Sequence, residues 1–270
     1  MIDKQTWQPS LASYATWLDG QSPDSLRLWI ARLESNDDAQ AEGAIAEAVV
    51  WDYLAIRTDT VRLADIPGKG GPDFFFNEDD RSFYVEVTNI SIEKATAVTS
   101  LSTELGSFQN YNNLNLQVKE EVLKKAGQFS SLDRPLVVVV STLHPIASQL
   151  CVSKGHVEQL LYGRKAIAGK YNSEKGEVEG DLFQLATMDH SGFTRKDSLK
   201  VARRNVSAIV VGGFGCVPPT AKVRGILHPD PVRPFNPSWI DDLPFLRFKE
   251  WPLSNKIVTE WTDDTSEESD

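Results

Sequence analysis

Residues 68–89 read G-K-G-G-P-D-F-F-F-N-E-D-D-R-S-F-Y-V-E-V-T-N, and the fold turns on this stretch. Gly68, Gly70, Gly71 and Pro72 break regular structure. Phe74–Phe76 and Phe83–Val87 are rich in strand formers, and the polar run 77–82 joins them as a hairpin. In the second strand the side chains alternate: Phe83, Val85 and Val87 face a core, while Tyr84, Glu86 and Thr88 face the other way. Glu86 is thus a carboxylate flanked by apolar residues on a strand expected to be central, and Asp73 opens its partner. Two carboxylates on adjacent strands can converge on one cation. A hard ion such as Mg²⁺ takes oxygen ligands at about 2.0–2.1 Å and keeps several waters for substrate phosphates.

On the N-terminal side, residues 61–66 read as the first core strand. Before them, 38–57 form an alanine-rich helix that Asp37-Asp38 can cap. Glu47 lies in this helix among Gly43, Ala44, Val50, Trp51 and Leu54 at i±3 and i±4. An acid on such a face costs free energy unless paired, metal-bound or protonated. Glu42 is a weaker candidate, near the polar start of the helix, and Asp52 also has apolar neighbours, so periodicity alone does not select Glu47. Residues 1–35 suggest one or two helices, with Ser22-Pro23-Asp24 as a start signal, and read as a packing cap.

On the C-terminal side, 91–113 read as a polar loop and 114–129 as a helix with the apolar stripe Val118, Val122, Ala126 and Phe129. Lys125 borders that stripe and Gln128 follows it. Lys119 and Lys124 compete with Lys125 for any inward role, and all three suit a solvated face. The run P-L-V-V-V-V-S at 135–141 suits a strand buried on both faces. Residues 157–168 read as a helix, 170–180 as a polar insertion, and 206–212 as a second buried strand. Residues 223–227 read as a shorter strand. The proline-rich segment 229–252 is expected to wrap the surface.

Pro72-Asp73 followed thirteen residues later by Glu86-Val87-Thr88 resembles the signature of the PD-(D/E)XK nuclease superfamily. The order α, β, β, β, α, β over 38–141 is similar to that family's core. Thr88 stands where the family has its lysine. The resemblance implies an α/β, restriction-endonuclease-like core with a central mixed sheet flanked by helices. It also implies an Mg²⁺ (or Mn²⁺) dependent endonuclease that hydrolyses phosphodiester bonds, with DNA the expected nucleic-acid partner and a homodimer allowed. Asp73 and Glu86 would hold the metal. Glu47, 26 residues before Asp73, matches the glutamate that the family's preceding helix commonly carries. Lys125 and Gln128 match branches with Lys and Gln on the following helix, Lys125 replacing the missing cation and Thr88 orienting a water. The alternative is an inactive nuclease fold serving as a nucleic-acid or protein binding module.

Composition sets the outer bounds. The chain has 270 residues, 41% hydrophobic and 24% charged, which is ordinary for a globular protein. It reads as one elaborated domain over 1–252 (cap 1–35, core 38–215), followed by an acidic, disordered tail over 253–270. The formal charge of −10 counts against a general basic nucleic-acid binder, but not against a local basic groove. Arg195, Lys196, Lys200, Arg203 and Arg204 form the densest basic cluster, suited to phosphates or to a solvated face. No apolar run is long enough to cross a membrane and no signal segment opens the chain, so a cytoplasmic setting is expected. Cys151 and Cys216 make neither a zinc spacing nor a disulfide framework. His144 and His228, each before proline, are expected to shape loops. No dinucleotide fingerprint, P-loop or nucleophile elbow is present.

Overall fold

A computed structural model describes residues 4–58, 60–65, 68, 70–78, 80–101, 112–163, 165–174, 176–186, 191–194, 201–215, 222–251 and 258–263. Helices α1 (Gln8–Gln21), α2 (Pro23–Leu33) and α3 (Asp38–Ala55) come first, then strands β1 (Val61–Leu63), β2 (Phe74–Glu78) and β3 (Arg81–Asn89). Helices α4 (Ile92–Thr99) and α5 (Asn112–Gln128) lead into β4 (Leu136–Ser141). Then come α6 (Pro145–Cys151), α7 (Lys154–Tyr162), β5 (Lys165–Asn172) and β6 (Glu177–Ala186). The last strands are β7 (Ala208–Gly212), β8 (Val223–Leu227), β9 (Phe245–Phe248) and β10 (Thr259–Trp261).

The fold is α/β. Eight strands make one mixed sheet in the order β1-β2-β3-β4-β7-β8-β9-β10, while β5 and β6 pair apart from it. β2 and β3 run antiparallel, and β3, β4 and β7 run parallel. The expected strands at 61–66, 73–76, 83–88, 136–141, 206–212 and 223–227 all fall in this sheet, with shifted ends. β3 lies between β2 and β4, so Glu86 sits beside Val138 and Thr88 beside Val140.

Helices cover both faces. One core packs Phe74, Phe76, Phe83, Val85, Val137 and Val139 against α1 and α3. The other packs Leu136, Val138, Val140 and Ile209 against Val118 and Val122 of α5 and Leu160 of α7. Local chemistry fixes the helix starts. Ser22 accepts from the Ser25 N–H at 3.2 Å with Pro23 in the first turn, and Asp37 accepts from the Ala39 N–H at 2.9 Å. α3 is buried along most of its length, and its alanines allow close approach to the sheet and the N-terminal helices.

Five expectations need correction. The polar loop at 91–113 contains α4, started by Ser91, which accepts from the Lys94 N–H at 3.2 Å. The helix expected over 157–168 ends at Tyr162, where Gly163 adopts a positive φ of 79° and the chain turns into β5. The insertion at 170–180 lies within the β5-β6 hairpin. The proline-rich end does more than wrap the surface, because β9 extends the main sheet, and β10, inside the stretch 253–270 expected to be a disordered tail, pairs with β9. The tail from 264 lies outside the described residues.

β9 docks because β8 carries a glycine where an aromatic ring crosses it. A Cβ on Gly225 would lie 2.2 Å from Phe245 Cδ1, and the Gly225 N–H donates to the Pro244 carbonyl at 2.9 Å. Gly225→Ala is therefore expected to cost about 1–3 kcal/mol through overpacking. Urea unfolding should show a lower midpoint at an unchanged slope. An unchanged midpoint would mean that β9 does not seat on β8 in this way.

Candidate active site

Six polar side chains gather where β2 begins. Continuing the β2-β3 register from Phe74↔Val85 by one residue sets Asp73 opposite Glu86. Asp73 is half-buried, and its Oδ2 accepts from the Val87 N–H at 2.7 Å, which ties the carboxylate to the Glu86 strand. Glu86 is 4% exposed. Its Oε1 lies 2.5 Å from Lys125 Nζ, while Oε2 is buried and meets no hydrogen-bond donor among the described residues. Glu47, on α3, is buried as well. Its Oε1 accepts from the Tyr14 hydroxyl at 2.5 Å, and its Oε2 accepts from Arg32 Nη2 at 2.5 Å.

Helical periodicity left Lys119, Lys124 and Lys125 in competition, and the structure separates them. Lys124 pairs with Glu121 at 2.8 Å, and Lys119 is buried in α5. Lys125 reaches Glu86 at 2.5 Å, a reach that the four-carbon stem of a lysine allows. Thr88 is half-buried on β3, two residues beyond Glu86 on the same face, and Gln128 is exposed at the last residue of α5. Glu42 accepts from the Ile92 N–H at 2.8 Å and from Asn89 Nδ2 at 3.2 Å, which pins the start of α4. Asp52 accepts from the Ser10 hydroxyl at 2.7 Å.

Sequence reasoning missed Tyr14 and Arg32. The N-terminal helices read as packing, and they do pack: Tyr14 is fully buried, with ring centroids 5.2 Å from Trp29 and 6.2 Å from Phe74. They also deliver a phenol and a guanidinium to Glu47. No local signal marks these residues, because the contacts span 33 and 15 positions of chain.

The electrostatics follow from burial and unequal charge. Burial, then the charges of Glu86 and Glu47, push the Asp73 carboxyl well above the usual aspartate range. Burial also raises Glu86, against the opposing pull of Lys125. Burial disfavours the Lys125 ammonium, but the Glu86 charge and hydrogen bond, with Asp73 and Glu121, outweigh it and hold its pKa above the ordinary lysine value. Burial and then Glu47 raise Tyr14, so its phenol stays protonated and donates.

Among the described residues, no three His, Cys, Asp or Glu side chains form a ready metal cage. Magnesium, however, is often held by one or two carboxylates, with waters and substrate phosphates completing the shell. The buried Glu86 Oε2 without a donor among the described residues, on the strand position opposite Asp73, fits a two-carboxylate site of that kind. The basic cluster is less open. Arg203 donates to the main-chain carbonyls of Gly192 at 2.6 Å and Lys119 at 3.4 Å, and Arg204 pairs with Asp230 at 3.1 Å. Arg195, Lys196 and Lys200 lie outside the described residues. His144 caps α6 through Nδ1, and His228 bridges the Ala202 carbonyl and the Asp230 N–H. No described helix is long and apolar enough to cross a membrane. No family model, curated protein or solved structure gives a significant match to the chain.

The raised Asp73 carboxyl sets a pH dependence. The fold holds this proton more tightly than the unfolded chain, whose ordinary value is 3.8. The stabilising contribution is therefore fully present below that value and is lost as pH rises through the folded value. Each unit of elevation corresponds to about 1.4 kcal/mol. Asp73→Asn keeps an acceptor for the Val87 N–H and removes the charge. In EDTA it should melt above wild type near pH 8, with the difference shrinking toward pH 4. A difference in melting temperature that does not vary with pH would contradict the charge imbalance.

Proposed function

We propose that the chain is a divalent-cation-dependent nuclease of the PD-(D/E)XK type, hydrolysing phosphodiester bonds, with DNA the expected substrate. The observation that carries this reading is the Lys125 ammonium, 2.5 Å from Glu86 Oε1. The signature lacks its strand lysine at Thr88, and a cation reaches the same carboxylate from α5. The restriction-endonuclease-like core belongs to the same proposal. It is supported by the run α3, β1, β2, β3, α5, β4, with α4 inserted and both acidic strands adjacent in one mixed sheet.

Asp73 and Glu86 are the residues that would hold Mg²⁺ or Mn²⁺. Bound there, the metal supplies an acidified water and offsets the charge that develops on the phosphate. The chain's own groups do the rest. Lys125 orients the Glu86 carboxylate and places a positive charge beside the reacting phosphate. The Thr88 hydroxyl, about 6.6 Å along the strand from Glu86, can hold a water but brings no charge. Both Glu47 oxygens accept bonds from the cap, so Glu47 enters chiefly through its field on Asp73.

A second reading, an inactive fold that binds nucleic acid or protein, is favoured by one observation. Arg32 and Lys125 already pair two of the three carboxylates.

The test is cleavage of DNA and RNA in Mg²⁺ or Mn²⁺. Wild type should cleave, and Lys125→Met, which keeps much of the stem but not the charge, should lose about 10²–10³ in rate. Lys125→Met is also expected to lower stability in EDTA, because Glu86 is left buried and unpaired. Titration calorimetry should show metal binding in wild type and its loss in Asp73→Ala. Equal metal binding by those two proteins would remove the metal site. No cleavage by wild type on any substrate would favour the binding module.

A further inference from the structure

We propose that Arg32, delivered by the N-terminal helices, is a substrate-binding residue that grips a backbone phosphate of the nucleic acid beside Asp73. The proposal rests on the nuclease reading and adds a residue that the signature does not contain.

Arg32 lies in the last turn of α2, with its side chain 45% exposed. Among the described residues its one acceptor is Glu47 Oε2, reached through Nη2 at 2.5 Å. A guanidinium carries five N–H donors in a planar fork, so the edge turned to solvent keeps donors free. That fork matches the non-bridging oxygens of a phosphate.

The holder of this arginine is stiff. Glu47 is buried and takes a second bond from Tyr14, whose ring is locked among Trp17, Trp29, Trp51 and Phe74. An arginine serving only solubility has no need of such a mount. Charge adds a reason for the grip. A phosphate approaching this site meets three carboxylates and is repelled. Lys125, 23% exposed and facing Glu86, is the less accessible cation, and Arg32 is the more accessible one. Arg32 sits beside Asp73, because its holder Glu47 is bonded to Tyr14, whose ring centroid is 6.2 Å from that of Phe74, the residue after Asp73.

The test is fluorescence anisotropy with a short DNA duplex in EDTA across a salt series. The slope of log K against log salt has a magnitude of about 0.9 for each phosphate that the protein neutralises. Arg32→Gln should reduce the slope by about one, and Arg32→Lys should keep it. Tyr14→Phe disturbs the same carboxylate without removing a charge and should also keep the wild-type slope. If Arg32→Gln fails to fold, the double variant Arg32→Gln with Glu47→Gln leaves no unpaired carboxylate at position 47 and carries the same expectation. A wild-type slope and affinity in the Arg32→Gln or double variant overturn the proposal, as does a wild type that binds no duplex. Arg32-dependent binding without any cleavage in Mg²⁺ sustains this proposal and removes the hydrolase. Cleavage with binding indifferent to Arg32 does the reverse.

Discussion

Three carboxylates, Glu47, Asp73 and Glu86, share two cations, Arg32 and Lys125, and this imbalance governs the arrangement around the start of β2. A buried charge without a partner costs several kcal/mol, so each cation must be brought to its carboxylate by an element that can stay there. The two arrive from opposite faces of the sheet. Arg32 comes with the N-terminal helices packed over α3, and Lys125 comes along α5 on the other side. The residual charge falls on Asp73, which among the described residues has one backbone donor and no cation of its own. Asp73 also sits just before β2 and is half-buried.

The sequence made the centre of this arrangement legible and left its surroundings obscure, for physical reasons. Period-two alternation put Glu86 on the opposite face from Val85, and a proline before Asp73 marked where β2 begins. Buried parallel strands read as unbroken apolar runs, so β4 and β7 were plain. Helix starts with a serine or aspartate cap were plain too, at Ser22 and Asp37. α4 was missed because its apolar residues, in I-E-K-A-T-A-V-T, form too short a pattern to separate from loop. β9 and β10 were missed because four- and three-residue strands carry no period; the place of β9 is set by Phe245 crossing Gly225, and β10 pairs with β9. Tyr14 and Arg32 could not be read at all. Their partner lies on another helix, and only the packing of Trp29 and Trp51 around Tyr14 brings them to it.

The same packing explains why the cap cannot be a neutral appendage. Trp29 donates its indole N–H to the Ala44 carbonyl at 3.0 Å, and Trp7 donates to the Phe214 carbonyl at 3.2 Å. The cap is therefore fastened to α3 and to the loop after β7 by bonds that have nothing to do with charge. With its position fixed in this way, the Tyr14 and Arg32 contacts to Glu47 need little further ordering entropy. The buried carboxylate is matched by donors that hydrophobic packing has already placed.

A lysine on a helix also differs in kind from one on the strand. At position 88 a cation would sit in the sheet, two residues along from Glu86, with its reach limited by the pleat. From α5 the Lys125 head ends at the carboxylate with 23% of the side chain exposed. That path couples the cation to α5, and α5 is coupled in turn to α4 through Lys94, Glu121 and Lys124, with both lysines 2.8 Å from Glu121. The charge on Glu86 is thus set by the seating of two helices on the sheet and not by the strand alone. Thr88 can then be a threonine without leaving Glu86 unpaired, because the geometry that a strand lysine would have supplied is carried by helix packing.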